Sequence, residues 1–131
     1  MPDAVHFILY VADQPSSAVF YARVLGNPPS LDVPGMTEFT LAAGAVLGLM
    51  PENGIRRLLG ERLPDPAGAR GTPRAELYLH VGDPAAHHAR ALAAGARELA
   101  PLARRDWGDD AAYSLDLDGH VIAFARRAVP A

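Results

Sequence analysis

The chain has 131 residues, half of them hydrophobic and 21% charged, with a formal net charge of −3. That length supports one domain with a real core, while the negative balance and scattered basic residues, all 12 of them arginine, argue against nucleic-acid binding. Cysteine is absent, which removes disulfides, thiol catalysis and thiolate metal sites and fits a cytoplasmic protein, and no apolar stretch approaches the roughly 20 residues of a membrane span.

Met1-Pro2-Asp3 places no positive region ahead of an apolar run, so no signal peptide is expected. The first element is a strand in V-H-F-I-L-Y-V-A-D, residues 5–13. Asp13 and Pro15 then suit the start of a helix and Gly26 its end. Between them, Val19, Val24 and Leu25 are expected to form the apolar stripe. A strand near 29–33 follows. Ala42-Ala43-Gly44 then turns the chain into A-V-L-G-L-M, residues 45–50. The stretch 52–74 carries Asn53-Gly54, Pro64, Pro66, Gly68, Gly71 and Pro73, and it reads as a linker with one helical turn around Ile55–Leu59.

The same order then repeats. A-E-L-Y-L-H-V-G-D, residues 75–83, ends in Val-x-Asp as the first strand does, so Val81 answers Val11 and Asp83 answers Asp13. Pro84 opens a helix that closes at Gly95, with Leu92 and its alanines as the apolar face. A strand is expected near 98–104, and Asp116-Leu117-Asp118-Gly119 turns the chain into H-V-I-A-F-A, residues 120–125. The predicted architecture is α+β, with two βαβββ modules in tandem. They span 1–51 and 75–131 of a single domain covering 1–131, joined by the linker 52–74.

Strand alternation separates a helix-facing side from an open side. Val5, Phe7, Leu9 and Val11 share one face, and His6, Ile8 and Tyr10 the other. Leu77, Leu79 and Val81 share one face, and Glu76, Tyr78 and His80 the other. The repeat makes His6 equivalent to Glu76, and Gly48 equivalent to Ala123. His6 and Glu76 are expected to touch a ligand directly or to satisfy each other, because an unpartnered buried carboxylate costs several kcal/mol. His87 and His88 occupy adjacent helix positions and are expected at the surface. His120, after an Asp-Gly turn, reads as turn structure. Trp107 lies in the polar run R-R-D-W-G-D-D, where a core residue is not expected, and it is a ligand-stacking candidate.

These segments resemble the vicinal-oxygen-chelate superfamily of glyoxalases, bleomycin-resistance proteins and extradiol dioxygenases. H-F-I-L-Y-V-A-D…F-Y-A-R-V-L-G is similar to the family's opening. V-G-D-P-A-A-H-H-A-R-A-L-A-A-G-A is similar to its second helix, and W-G…D-L-D-G-H-V-I-A-F to the ending of its bleomycin-resistance-like members. The resemblance implies a half-open sheet cleft, commonly in a homodimer. It also implies metal ligands at four positions, which fall here on His6, Gly48, Glu76 and Ala123. Gly and Ala offer no donor atom, and the two donors left are fewer than the three protein ligands usual in catalytic sites.

The sequence therefore leads to an expected metal-free protein, without cofactor or catalytic residues, that sequesters a bulky apolar or aromatic natural product or drug. His6, Tyr10, Phe39, Gly48, Met50, Glu76, Tyr78, His80, Trp107 and Ala123 are its expected ligand-binding residues. Its expected partners are the small molecule and a second copy of the chain, with neither nucleic acid nor membrane. The alternative is an enzyme of the same superfamily: a metal-dependent lyase, isomerase or dioxygenase, or a metal-free acid/base enzyme using His6 and Glu76.

Overall fold

The computed structural model describes residues 1–129. The first module runs β1 (Val5–Val11), α1 (Gln14–Leu25), β2 (Leu31–Val33), β3 (Met36–Ala42) and β4 (Ala45–Pro51). The second runs β5 (Glu76–His80), α3 (Pro84–Ala93), β6 (Arg97–Arg104), β7 (Asp109–Leu115) and β8 (Val121–Arg127). Between them lie α2 (Glu52–Leu59) and two short 3-10 turns, so the connecting segment holds more helix than the single turn the sequence suggested. The chain divides into two compact units, one built on β1–β4 and the other on β5–β8.

Each unit has one four-stranded sheet, in the order β1-β4-β3-β2 and β5-β8-β7-β6. In each, the first strand lies parallel to the last, and the other neighbours are antiparallel. A parallel pair needs a long crossover, and the helix with its following strands supplies it. Neither sheet closes on itself. The two α+β modules are the βαβββ units that the repeat predicts. Among the described residues, no helix is long and apolar enough to cross a membrane.

The repeated punctuation works differently in the two copies. Asp83 caps α3 by accepting from the Ala86 backbone N–H at 3.1 Å. Asp13, at the same place before α1, accepts from the Ser16 hydroxyl instead and makes no side-chain cap. Gly26 ends α1 at φ +76, donating its N–H to the Ala22 carbonyl at 3.0 Å.

The core of the first unit lies between α1 and one face of its sheet. Leu9, Val11, Thr37, Phe39, Leu47 and Leu49 are buried there. Tyr21 of α1 sets its ring 6.5 Å from that of Phe39, tilted by 49°, and Gln14 donates to the Thr37 hydroxyl at 2.9 Å. The buried stripe of α1 is Ser17, Phe20, Tyr21 and Val24; of the expected Val19, Val24 and Leu25 only Val24 belongs to it, and Val19 is 53% exposed. In the second unit α3 packs on β7 and β8, with the His87 ring 5.2 Å from that of Phe124. His88 corrects the expectation of a surface pair. It is buried, and its Nε2 meets Glu98 Oε2 on β6 at 2.9 Å.

One close approach fixes the start of the second unit. Gly119, at φ +88 in the β7–β8 turn, lies so near Gly71 that a Cβ on it would meet the Gly71 Cα at 2.9 Å. The Gly71 N–H donates to the Asp118 carbonyl at 3.4 Å.

Candidate functional site

On the first sheet, His6, Ile8 and Tyr10 share the face away from α1 with Val46, Gly48 and Met50 of β4 and Glu38 of β3. The pairings Ile8↔Gly48 and Glu38↔Gly48 set this register. His6 finds its acidic partner here, with Nδ1 3.4 Å from Glu38 Oε2. Glu38 escaped the sequence reading. A count back from the Gly44 turn does not find it, because a bulge between Thr40 and Ala42 shifts the register by one residue. Phe39 lies on the opposite face, fully buried beneath Tyr21, and belongs to the core rather than to this group. Gly48 leaves no empty place on this face. A Cβ there would meet Ile8 Cγ1 at 3.1 Å and Met36 Sδ at 3.2 Å, so two flexible side chains already fill the place.

The second sheet carries the more elaborate arrangement. Its face away from α3 presents Glu76, Tyr78 and His80 of β5, Val121, Ala123 and Ala125 of β8, and Asp109, Ala111 and Tyr113 of β7. Ala123 sits between Tyr78 and Tyr113 in the register and is fully buried. Glu76, expected to need a buried partner, is exposed.

Three of these side chains join Trp107 and Arg127 in one network. The β6–β7 turn closes with Arg105 N–H donating to the Asp109 carbonyl at 2.7 Å, and Gly108 in this turn has φ +94. The turn holds Trp107 beside β5, where its indole Nε1–H donates to the Tyr78 hydroxyl at 2.9 Å. The Tyr78 hydroxyl in turn donates to Asp109 Oδ2 at 2.6 Å. His80 Nε2 lies 3.5 Å from the same oxygen. Arg127 places one guanidinium nitrogen 3.7 Å from Asp109 Oδ1. The Asp109 side chain is only 6% exposed, and its Oδ1 is buried without a hydrogen bond.

Burial, then the hydrogen bond to Asp109, raises the Tyr78 phenol above its ordinary pKa; the bond from Trp107 opposes this. Burial and the charge of Glu76 raise Tyr113 as well, against the guanidinium of Arg105 lying 5.3 Å from its ring centre. Tyr78, His80 and Trp107 were expected at a site, and the fold brings these three together. Asp109, Tyr113 and Arg127 were missed. The alternation D-D-A-A-Y puts Asp109 and Tyr113 on one face, and that alternation is the signal they carry.

A family model of the glyoxalase-like domain matches residues 6–125. The chain belongs to the glyoxalase-like domain family. Solved structures agree with that membership at the level of fold. A glyoxalase-related enzyme from Fulvimarina pelagi is 24% identical, with a TM-score of 0.81, over 97% of this chain and 89% of its own. A glyoxalase/bleomycin resistance protein/dioxygenase from Nocardioides is 21% identical, with a TM-score of 0.75, over 100% and 87%. A protein from Agrobacterium tumefaciens solved by NMR is 26% identical, with a TM-score of 0.73, over 98% and 100%. No protein with a curated description matches. The family and these folds are consistent with the vicinal-oxygen-chelate superfamily.

This glyoxalase-like domain does not carry the donor set that a metal of that superfamily would need. Gly48 is packed by Ile8 and Met36, and Ala123 is buried between two tyrosines, so neither place offers an oxygen or nitrogen from a side chain. His6 and the exposed Glu76 are the two donors left, fewer than the three protein ligands usual in catalytic sites. Elsewhere among the described residues, Asp116, Asp118 and His120 bring ligand atoms within 4.8 Å of one another. That group is explained by the turn it builds. The Asp116 carboxylate accepts from the Asp118 N–H at 2.9 Å, the His120 N–H at 2.8 Å and His120 Nδ1 at 2.8 Å.

Proposed function

We propose that this glyoxalase-like protein binds a bulky, largely apolar or aromatic small molecule without a metal, as a natural-product or drug-sequestering protein. The observation that carries the reading is Trp107. Its indole is 53% exposed, yet it is held by a hydrogen bond to Tyr78 beside the buried Asp109. An exposed aromatic ring ordinarily moves freely. One fixed in place loses less entropy when a flat ligand stacks on it. The packed Gly48 and Ala123 positions support a metal-free site. A homodimer is the proposed assembly.

The test is a panel of flat aromatic and glycopeptide natural products. A ligand that binds only the folded chain, at about 100 times its Kd, stabilises by about 2.7 kcal/mol. It should raise the melting temperature, quench the single tryptophan and be recovered chemically unchanged. A panel without any such compound, together with a Trp107→Ala variant that binds as the wild type does, would end the reading. Sedimentation velocity tests the dimer, and a monomer at micromolar concentration would overturn it. The second reading is a metal-free acid/base enzyme, favoured by the His6–Glu38 pair at 3.4 Å. Chemical conversion of a bound compound, lost in His6→Gln, would select it.

A further inference from the structure

Every side-chain polar atom of the Trp107–Tyr78–Asp109 network has a hydrogen-bond partner except one. Asp109 Oδ2 accepts from Tyr78 at 2.6 Å, while Oδ1 is buried and accepts no hydrogen bond. A buried carboxylate oxygen without a donor is costly and rare in folded proteins. What lies nearest to it is loosely held. The Arg127 guanidinium approaches to 3.7 Å, beyond hydrogen-bond range, and its side chain is 78% exposed. It has room to lie there because residue 108 is glycine; a Cβ at Gly108 would meet the Arg127 guanidinium nitrogen at 3.2 Å. Arg127 is thus an internal stand-in, a planar cation resting over the oxygen without engaging it. The exposed Trp107 belongs to the same network through its hydrogen bond to Tyr78, and electron-rich rings attract cations.

We propose that Asp109 is the recognition point for a cationic group of the ligand, an ammonium or amidinium, which donates to Oδ1 and displaces Arg127 while the ligand's aromatic body stacks on Trp107. The inference rests on the binding reading above and narrows it to amine- or amidine-bearing aromatic compounds. Tyr78 fixes the carboxylate from the other side, so Oδ1 stays in place when Arg127 leaves. His80, 3.5 Å from Oδ2 and 60% exposed, lies beside the oxygen that Tyr78 already uses. An anionic ligand would pair with Arg127 only by bringing its charge against Asp109, which disfavours it.

The chain has one tryptophan, so nitrogen–proton correlation spectra hold a single indole resonance that reports on the site. Three probes share one aromatic body: naphthylmethylammonium, naphthylmethanol and naphthoate. The ammonium probe should move the Trp107 resonance saturably, with a Kd about tenfold below that of the alcohol, a difference of about 1.4 kcal/mol. Naphthoate should bind weakest. Arg127→Ala removes the displaced cation from an exposed position and should tighten the ammonium probe severalfold. Asp109→Asn should erase the preference for ammonium over alcohol.

If the alcohol binds as well as the ammonium, or naphthoate binds best, the cation subsite is wrong and the aromatic site stands. The same follows if Arg127→Ala weakens the ammonium probe. If no probe moves the resonance at millimolar concentration, the aromatic site fails as well. Asp109→Asn sits in a buried network, so Arg127→Ala keeps the test open should that variant fold poorly.

Discussion

Replacing Tyr78 by Phe keeps the ring and removes one hydroxyl, and the structure assigns the cost to a specific atom. The hydroxyl is the hydrogen-bond donor to Asp109 Oδ2, at 2.6 Å, on a side chain 6% exposed whose other oxygen makes no hydrogen bond. Tyr78→Phe therefore leaves a buried carboxylate with a hydrogen bond to neither oxygen and only the looser approaches of His80 at 3.5 Å and Arg127 at 3.7 Å. Hydrogen bonds to charged groups contribute about 1.5–3 kcal/mol, and the orphaned partner pays its desolvation in full. The indole of Trp107 also loses its acceptor, but it is exposed and turns to water at little cost. The expected loss is about 2 kcal/mol. At about 2.1 cal/mol/K per residue, a chain of this size loses roughly 7 °C of melting temperature.

Thermal and urea unfolding measure that loss, and the Trp107 indole resonance should broaden or shift as its tether goes. A double-mutant cycle localises the effect. Once Asp109→Asn has removed the charge, adding Tyr78→Phe should cost less than about 1 kcal/mol. A melt lowered by under about 2 °C, or an equal cost in both backgrounds, would refute the assignment.

Three further outcomes follow from the geometry. Burial, with the Asp109 bond, raises the Tyr78 phenol above its ordinary value of 10.0. The folded chain thus keeps a proton that the unfolded chain has lost, so the stability this group contributes is complete below pH 10 and falls as pH rises through the folded value. Unfolding titrations from pH 9 upward should show that fall, reduced but not abolished in Tyr78→Phe because Tyr113 is raised too. Phe39→Ala should cost about 3–5 kcal/mol, whereas Trp107→Ala should cost under about 1 kcal/mol yet remove ligand binding; urea denaturation with a ligand titration separates the two roles. Purified protein should hold no stoichiometric Zn, Fe, Mn or Ni by elemental analysis, while Ala123→Glu, which buries a carboxylate beside Tyr78 and Tyr113, should lower stability and raise divalent-metal affinity.

The modules were legible because their punctuation is local and occurs twice. Asp13, Pro15 and Gly26 mark one helix as Asp83, Pro84 and Gly95 mark the other, and each hairpin announces itself by a glycine turn. What the sequence hid depends on partners far along the chain. The α1 stripe was misread because Ser17 is small and polar, yet it falls in register with Phe20, Tyr21 and Val24 and buries with them. His88 turned inward because a carboxylate on β6 receives it, and a helical window cannot see β6. Phe39 and Glu38 are neighbours on opposite faces, and only the pairing of β3 with β4 says which is which. Asp109 looked like part of a polar loop. It opens β7 instead, and its donor comes from a strand 31 residues earlier.

The crossing of Gly71 and Gly119 has a consequence for how the second module folds as a unit. The two glycines meet backbone to backbone, with no side chain between them, so the chain is clasped five residues before β5 begins. The equivalent turn of the first module has no such burden, since a Cβ on Gly44 would come no nearer than 3.6 Å to the Asp3 carbonyl. The two turns hold equivalent places in their modules but differ in what they bear. A fragment cut to begin at Glu76 would keep every strand of the second sheet and lose the clasp on its β7–β8 turn. The natural boundary of that cooperative unit therefore lies upstream of its first strand, at or before Arg70.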